Sequence, residues 1–129
     1  MIVNDPIADM LAHIRNNLRL KKAQTAYVPT QVTLKILNIL FHEGFIRGYK
    51  YAHNKKNIFI LLKYNNGRSV IRTMKRCSTN SKDIFLTVEE LQQTQNPFVL
   101  TILSTSKGIL SSTEAINCNV GGLLLCKIT

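Results

Sequence analysis

This 129-residue chain lacks several features that would assign it to a common class of protein. No apolar run approaches the roughly 20 residues that a membrane-spanning helix requires, so we expect no transmembrane segment. The three cysteines, Cys77, Cys118 and Cys126, form neither a Cys-x-x-Cys pair nor an even set. Their spacing predicts buried or half-buried free thiols in a reducing compartment rather than a zinc site or a disulfide framework. The three histidines are also far apart, and we predict no metal and no cofactor.

Acidic residues are scarce. Seven Asp and Glu stand against 17 Lys and Arg, which gives a formal net charge of +10. Such a charge on so small a chain favours a polyanionic partner, either nucleic acid or an anionic membrane surface. The alternative is a soluble basic protein whose lysines are simply solvated. Apolar residues make up 45% of the chain, which is enough for a packed core in one domain or two small lobes.

Signatures of catalysis are missing too. A nucleotide-binding P-loop needs Gly-x4-Gly-Lys-Ser/Thr, but here Lys107 precedes Gly108. A nucleophilic Ser104 or Ser106 would need a base, and the chain has no Gly-x-Ser-x-Gly elbow. Carboxylates are too few to suggest an acid/base pair. We therefore predict that the chain is not an enzyme and takes no small-molecule substrate.

The chain opens with strong signals for a helix. Asp5 offers a carboxylate N-cap and Pro6 suits the first helical position. Apolar residues then recur at helical spacing over residues 7–18, which predicts one buried stripe. The other face carries Arg15 and Asn16, side chains that can contact phosphate and base edges. A solvated helix face would look the same, so both interpretations stay open.

Further elements complete a first lobe. The pattern predicts a strand at 27–28, a helix at 30–43 and antiparallel strands at 45–51 and 58–64. Thr30 can cap the second helix, and its many apolar residues, Val32 and Phe41 among them, predict a well-buried element. The polar connection between the two strands carries Lys55 and Lys56.

The second half is mostly β. Asn66-Gly67 signals a hairpin, and the dense basic stretch over 68–76, which includes Arg72 and Arg76, alternates well enough for a strand with cations on one side. The other predicted elements are a loop at 78–82, strands at 84–86, 98–103 and 123–128, a helix at 87–93, a helical turn capped by Ser111 or Ser112, and a Gly121-Gly122 turn. We predict an α+β fold of two small lobes, 1–72 and 73–129, with a groove between them.

The stretch that this order presents is Ile-Leu-Ser-Thr-Ser-Lys-Gly at residues 102–108. A strand should end there, and three hydroxyls, a cation and a glycine follow. Hydroxyls both donate and accept hydrogen bonds, and a glycine permits a tight turn or a close approach. Hydroxyls beside one cation suit a polyanion whose sugars and base edges also offer hydrogen bonds, and the candidate binding residues in this loop are Ser104, Thr105, Ser106, Lys107 and Gly108. The alternative interpretation is a strand end with a hydroxyl-rich turn.

These residues resemble a known family. The string Asp-Pro-Ile-Ala-Asp-Met-Leu at residues 5–11, the Ile-Arg-Asn at 14–16 and the Glu-Gly-Phe-Ile at 43–46 are similar to the bacterial-type small-subunit ribosomal protein number eight. The stretch from Ile102 to Ala115, Gly121-Gly122 and Cys126 are similar to its C-terminal half. The resemblance is colinear and runs essentially from end to end.

The resemblance implies a two-lobe α+β protein that binds the central domain of small-subunit ribosomal RNA early in assembly. Small-subunit proteins two, five, twelve and seventeen would be its neighbours. The hydroxyl stretch would contact RNA, with further contacts from Arg15 and Asn16, and we expect no membrane partner. The other candidate RNA-binding residues are Lys55, Lys56, Arg72, Arg76 and Phe85. The alternative function is that of a free regulatory RNA- or DNA-binding protein.

Some positions depart from the family pattern. The family's Ser-Arg-Pro-Gly is replaced by Ser-Thr-Asn-Ser at 78–81, and Asp83 follows. Ile116 stands where a basic residue is preferred, and Leu123 where glutamate is preferred. Phe85 can stack on a base or belong to the core, and we favour the core. The first residues carry no signal or transit peptide. The departures from the family pattern, in a sequence rich in Ile, Asn and Lys, suggest an organelle-encoded copy. We expect a mitochondrial ribosome first, a plastid second and a bacterium third.

Overall fold

The computed structural model describes residues 5–78 and 82–129. The chain divides into two compact units, Met1–Arg72 and Thr73–Thr129. Each unit combines helices with antiparallel strands, so the predicted α+β class is confirmed. No helix within the described ranges is both long and apolar enough to cross a membrane. The groove between lobes stays a prediction.

The first unit packs two helices against a three-stranded sheet. Its elements are α1 (Pro6–Arg19), β1 (Gln24–Tyr27), α2 (Gln31–His42), β2 (Ile46–Tyr51), β3 (Ile58–Leu62), β4 (Tyr64–Asn65) and β5 (Arg68–Ser69). The sheet order is β1-β3-β2, antiparallel throughout. Ile58, Ile60 and Leu62 of β3 are buried, because alternate residues of the central strand face the core.

Side-chain caps determine where both helices begin. The Asp5 carboxylate accepts a hydrogen bond from the Ala8 amide at 3.1 Å, and Pro6 opens α1. Thr30 and Thr33 form a capping box at the start of α2. Each cap satisfies amides that the first helical turn leaves unpaired. Both helices therefore begin where the sequence predicts.

Three expectations for the first unit are wrong in detail. α2 buries Ile36, Leu37, Ile39 and Leu40 as expected, but Val32 is 38% exposed and Phe41 is 49% exposed. β1 covers Gln24–Tyr27 instead of residues 27–28, because its register with β3 pairs those four residues. β3 ends at Leu62, and the next strand belongs to the predicted Asn66-Gly67 hairpin, whose positive φ values fit a tight turn.

The basic strand predicted over 68–76 is also wrong. β5 ends at Ser69, whose hydroxyl donates to the Ile71 carbonyl at 2.8 Å. A new strand begins at Met74, in the second unit. The cations of this stretch therefore do not share one strand face.

The second unit is built around its last strand. Its elements are β6 (Met74–Arg76), β7 (Phe85–Leu86), α3 (Val88–Gln93), β8 (Leu100–Thr105), β9 (Gly108–Ser111), α4 (Ser112–Asn117) and β10 (Gly122–Ile128). β10 pairs antiparallel with β6, β7 and β8, and β8 pairs with β9. Leu91, Leu103, Ala115 and Leu124 form the core between the two helices and the sheet.

The predicted start of α3 is confirmed. Thr87 and Glu90 form a capping box. Of the two possible caps for α4, Ser111 takes the role, since its hydroxyl accepts from the Glu114 amide. The predicted loop at 78–82 falls mainly on residues 79–81, which lie outside the described ranges.

Two strand boundaries in this unit differ from expectation. Phe98 is not in a strand but 83% exposed, because the Asn96 side chain accepts from its amide and turns the chain there. β8 instead runs to Thr105, two residues beyond the predicted end, and β9 was not predicted at all.

Gly121-Gly122 is not a turn. Gly122 lies within β10, and a Cβ there would fall 2.5 Å from the Ser104 carbonyl oxygen. A Cβ on Gly121 would fall 2.5 Å from the Leu86 carbonyl oxygen. The glycines let neighbouring strands approach closely.

The cysteines are free, as predicted. Cys77 is half-buried and Cys126 is buried, but Cys118 is exposed, contrary to expectation. Burial, together with the neighbouring Cys77 thiol, raises the pKa of Cys126 to about 12. The Cys126 thiol is therefore protonated at neutral pH and chemically inert.

Candidate nucleic-acid interface

The hydroxyl stretch is the tip of a β-hairpin. Ser104 pairs with Ile109 and Thr105 with Gly108, which leaves Ser106 and Lys107 as a two-residue turn. Gly108 has φ +105°, a conformation that other residues rarely adopt. The local sequence thus forms a tight turn that projects the two tip residues into solvent.

Thr105 builds this hairpin. Its hydroxyl donates to the Gly108 carbonyl at 2.8 Å and accepts from the Lys107 amide at 3.1 Å. Its methyl group covers Gly122, since a Cβ at that glycine would lie 2.8 Å away. Thr105 therefore shapes the turn, whereas the exposed side chains of Ser106 and Lys107 face solvent.

Ser104 belongs to a row of residues that crosses the sheet. The register pairs Phe85 with Leu123, Leu123 with Ser104 and Ser104 with Ile109. Directly paired residues share a face. The next row, which includes Leu103 and Leu124, packs against the helices. We call Phe85, Leu123, Ser104 and Ile109 the outer row, because they lie on the opposite face.

Phe85 is 66% exposed at one end of the outer row. Our preference for a core role was therefore wrong. β7 is short, and its alternation turns Leu86 toward the core and Phe85 away from it. An exposed ring on the same face as the Ser104 hydroxyl offers a flat apolar surface beside a hydrogen-bonding group, which suits a nucleobase.

The other predicted residue of the second unit has a structural role. Arg76 is half-buried, and its Nη1 donates to the Leu125 carbonyl at 2.6 Å. This contact fixes β6 beside β10. The guanidinium is thus engaged within the unit, and no local pattern in the sequence indicates this contact.

The remaining predicted residues lie in the first unit. Arg15 and Asn16 are exposed on α1, and Arg72 is exposed after β5. Lys55 and Lys56 are exposed in the turn between β2 and β3, where the Asn54 side chain accepts from the Lys56 amide at 3.0 Å. The structure therefore unites the hairpin with Phe85 within one unit, and it leaves these five residues on the other.

The charge is divided unevenly between the units. Residues 1–72 hold twelve Lys and Arg against three Asp and Glu, a formal charge of +9, whereas residues 73–129 hold five against four, a charge of +1. From residue 83 to residue 126 the chain has four acidic residues and a single basic one, Lys107. The charge of each unit can be counted from the sequence once the boundary between the two units is known. This distribution makes Lys107 an isolated cation at an exposed tip.

A metal is not indicated. Within residues 5–78 and 82–129, no group of three or more His, Cys, Asp or Glu side chains is placed to hold an ion. The candidate interface residues described above offer hydroxyls, cations and the aromatic ring of Phe85. These groups bind phosphate, sugar and base by electrostatics, hydrogen bonds and stacking.

Fold and surface together define a class. A small basic α+β protein with an exposed Ser-Lys hairpin tip, and an exposed aromatic ring in the same sheet, has the features of a nucleic-acid-binding protein. Comparison with known proteins makes this specific. The family model described as Ribosomal protein S8 matches residues 5–129, and the chain belongs to that family.

Curated relatives agree over the full length. The chain is 40% identical to the small ribosomal subunit protein uS8 of Brucella anthropi, over 99% of both chains. It is 39% identical to that of Brucella ovis and 37% identical to that of Sinorhizobium fredii, with the same coverage. The resemblance seen in the sequence is confirmed.

The structure accounts for two of the departures from the family pattern. Ile116 is half-buried and packs against the core of the second unit. Leu123 lies in the outer row between Phe85 and Ser104. Asp83 is exposed, while Asn80 and Ser81 lie outside the described residues.

Proposed function

We propose that the chain is a structural constituent of the small ribosomal subunit that binds the central domain of small-subunit rRNA and helps its assembly. The observation that carries the proposal is the family match over residues 5–129, with relatives named as small-subunit proteins along their whole length. The same match favours this function over that of a free regulatory RNA- or DNA-binding protein. The role is architectural, and we assign no catalysis.

The two units, 1–72 and 73–129, divide the task of binding. The first supplies most of the positive charge, so its Arg15, Asn16, Lys55, Lys56 and Arg72 contact mainly phosphate. Phosphate contacts give affinity and orientation without sequence information. The second unit is nearly neutral and makes the specific contacts.

The hairpin and the outer row make the contacts of the second unit with RNA. Lys107 binds a phosphate, Ser106 and Ser104 bond to sugar or base edges, and Phe85 stacks on an unpaired base. Thr105 and Gly108 hold the turn that presents them. Arg76 offers a positive charge at the edge of this site, while its hydrogen bond to the Leu125 carbonyl restricts its movement.

The proposal also includes the compartment of the ribosome and the neighbouring proteins. The ribosome is mitochondrial, a choice supported by the sequence drift and the Ile-, Asn- and Lys-rich composition, whereas the relatives named above are bacterial. The neighbours are small-subunit proteins two, five, twelve and seventeen. An antibody against the chain should label purified mitochondria of the source cell, and labelling confined to another fraction would contradict this location.

Sedimentation of cell extracts tests the function. The epitope-tagged chain should migrate with small subunits in a sucrose gradient. It should stay with them when low magnesium separates the two subunits. A chain that remains at the top of the gradient, or one that follows the large subunit, would contradict the proposal. The first of these results would favour a free regulatory protein.

A further inference from the structure

One aromatic surface in the first unit has no assigned role. Contacts between α2 and β2 bring together Asn38, Phe41, Tyr49 and Tyr51, and the same two elements carry exposed Lys35 and Arg47. We call these six residues the α2–β2 surface. Phe41 is 49% exposed and Tyr51 58% exposed. Exposed apolar groups that lie together mark binding surfaces, whereas single exposed apolar residues are ordinary.

Contacts between the two elements hold this surface in place. The Tyr49 hydroxyl donates to Asn38 Oδ1 at 3.0 Å. The Tyr49 and Tyr51 rings are 6.4 Å apart at an edge-on angle of 75°. Phe41 lies against Gly48, where a Cβ would be 3.8 Å from its ring. The rings are therefore positioned before any partner arrives, which lowers the entropic cost of binding.

The strand position explains why Tyr51 is available. Tyr51 pairs with Ile58, which in turn pairs with Tyr27. Ile58 and Tyr27 are buried, but β2 is an edge of the sheet, and Tyr51, the third side chain of that row, is exposed. A polar residue would be the ordinary choice at an exposed edge.

The charge around the rings is positive. Residues 31–64 hold six Lys and Arg and one carboxylate, Glu43. Lys35 lies one helical turn before Asn38 on the exposed side of α2, and Arg47 is exposed on β2. Exposed rings with flanking cations form a stacking platform for single-stranded nucleic acid, in which bases stack and phosphates meet the cations.

We propose that the α2–β2 surface binds unpaired nucleotides of RNA, as a second site separate from the hairpin of the other unit. The proposal rests on the proposed function, since it takes the polyanion to be RNA. Tyr51 stacks on a base, Phe41 packs against the same or the next nucleotide, and Lys35 and Arg47 contact the phosphates. The bond to Asn38 fixes Tyr49 behind Tyr51.

Tyrosine fluorescence gives a direct test. The chain has four tyrosines and no tryptophan, so intrinsic emission reports tyrosine alone. The probe is a single-stranded dodecauridylate, and a central-domain rRNA fragment is titrated in parallel. The parent chain should lose emission as the dodecauridylate binds. Because the Tyr51 variants lack the reporting ring, the affinity of every variant is measured by the fluorescence anisotropy of a fluorescein-labelled dodecauridylate. Tyr51→Ala should weaken this binding by about fivefold to a hundredfold, the range expected for one stacked base.

Two further variants separate stacking from other effects. Tyr51→Phe should keep the affinity and lose most of the emission change, because phenylalanine stacks but emits weakly. Phe98→Ala removes another highly exposed ring, 83% exposed in a unit of charge +1, and should leave the affinity unchanged. Circular dichroism verifies that each variant is folded.

The outcomes distinguish the two proposals. Unchanged dodecauridylate affinity in Tyr51→Ala, or an equal loss in Phe98→Ala, would overturn the second site and assign the surface to a protein partner. The function proposed above would survive either result if the rRNA fragment still binds. Failure of the parent chain to bind the rRNA fragment would instead count against that function.

Discussion

At the scale of single residues, exposure and close approach decide what each side chain does. Phe85 and Phe98 are both exposed phenylalanines, yet only Phe85 shares a strand face with the hairpin hydroxyls. Thr105 and Ser106 are adjacent hydroxyl residues, but one holds the turn and the other faces solvent. Residue type alone does not separate these roles.

Phe85 provides the clearest residue-level prediction. Phe85→Ala should weaken binding to the central-domain rRNA fragment by about 1–3 kcal/mol, the cost of one lost stacking contact. The melting temperature should hardly change, because the ring is already 66% exposed. A thermal melt and one titration measure both. A large fall in melting temperature would identify Phe85 as a packing residue instead.

Gly122 provides a prediction about stability. Gly122→Ala should destabilise the second unit by about 1–3 kcal/mol, since the added methyl group meets the Ser104 carbonyl and the strands must separate. The buried Cys126 thiol in the same strand reports this opening. The rate at which a thiol reagent modifies Cys126, followed by mass spectrometry, should rise in the variant.

Gly67→Ala is the control for this measurement. Its Cβ would meet nothing within 4 Å, although its φ of +79° would strain the turn. It lies in the first unit, so the modification of Cys126 should proceed at the parent rate. An equal acceleration in both variants would mean that glycine removal acts through chain flexibility rather than through the contact with Ser104.

At the scale of elements, the hairpin of β8 and β9 presents an exposed two-residue tip. Backbone pairing fixes its length, Gly108 permits its turn and Thr105 closes it. Two different side chains then stand at the tip. Their chemistry differs in a way that salt titration can resolve, because only a cation displaces counterions from RNA.

Lys107 and Ser106 should therefore respond differently to salt. Lys107→Ala should weaken binding to all RNAs about equally and reduce the slope of log K on log salt by about 0.7–0.9. Ser106→Ala should leave that slope unchanged but cost about 1–3 kcal/mol on the rRNA fragment, because a desolvated partner loses its hydrogen bond. Titrations of the fragment and an unrelated duplex at two salt concentrations measure both effects.

Lys127→Ala is the matched control, since it removes another exposed cation from the same unit. It should change neither the slope nor the specific affinity. Equal losses for Ser106→Ala on both RNAs would contradict the division of roles at the tip. Parent affinity in both tip variants would leave the hairpin with a structural role only.

At the scale of the whole molecule, the positive charge is concentrated in one half of the chain. The first unit carries +9 and the second +1. In the function we propose, the first unit attracts the polyanion and the second discriminates among partners through hydroxyls and a ring. Such a separation lets affinity and selectivity change independently.

The salt dependence of the parent chain tests this picture. The slope of log K on log salt for the rRNA fragment should be about −3 to −6, since each neutralised phosphate contributes ~0.7–0.9. Lys55→Gln with Lys56→Gln should make the slope shallower by about 1.4–1.8. Filter binding at four salt concentrations is sufficient for the measurement.

A second pair of substitutions has the same change in net charge. Lys75→Gln with Lys82→Gln removes two exposed lysines from the second unit and should leave the slope near that of the parent. The same loss of slope in both pairs would show that net charge alone matters. A slope near zero in the parent would contradict phosphate-dominated binding.

The sequence by itself determined the elements whose signals are local. Asp5 with Pro6, the Thr30 cap and the Thr87–Glu90 capping box each place a helix start correctly, because the groups involved lie within one turn of each other. Asn66-Gly67 predicted its hairpin for the same reason. The charge and the end-to-end motifs also indicated the family and its polyanionic partner.

Tertiary structure decided what depends on a distant strand. Gly122 cannot be distinguished from a turn glycine until β8 lies 2.5 Å from where its Cβ would be. Phe85 becomes an exposed ring beside Ser104 only because β10 pairs with β7 and β8 together. Strand register couples residues that are far apart in sequence, and a shift of one position reverses every face. The outer row and the α2–β2 surface are therefore properties of the fold, assembled from residues that no local pattern connects.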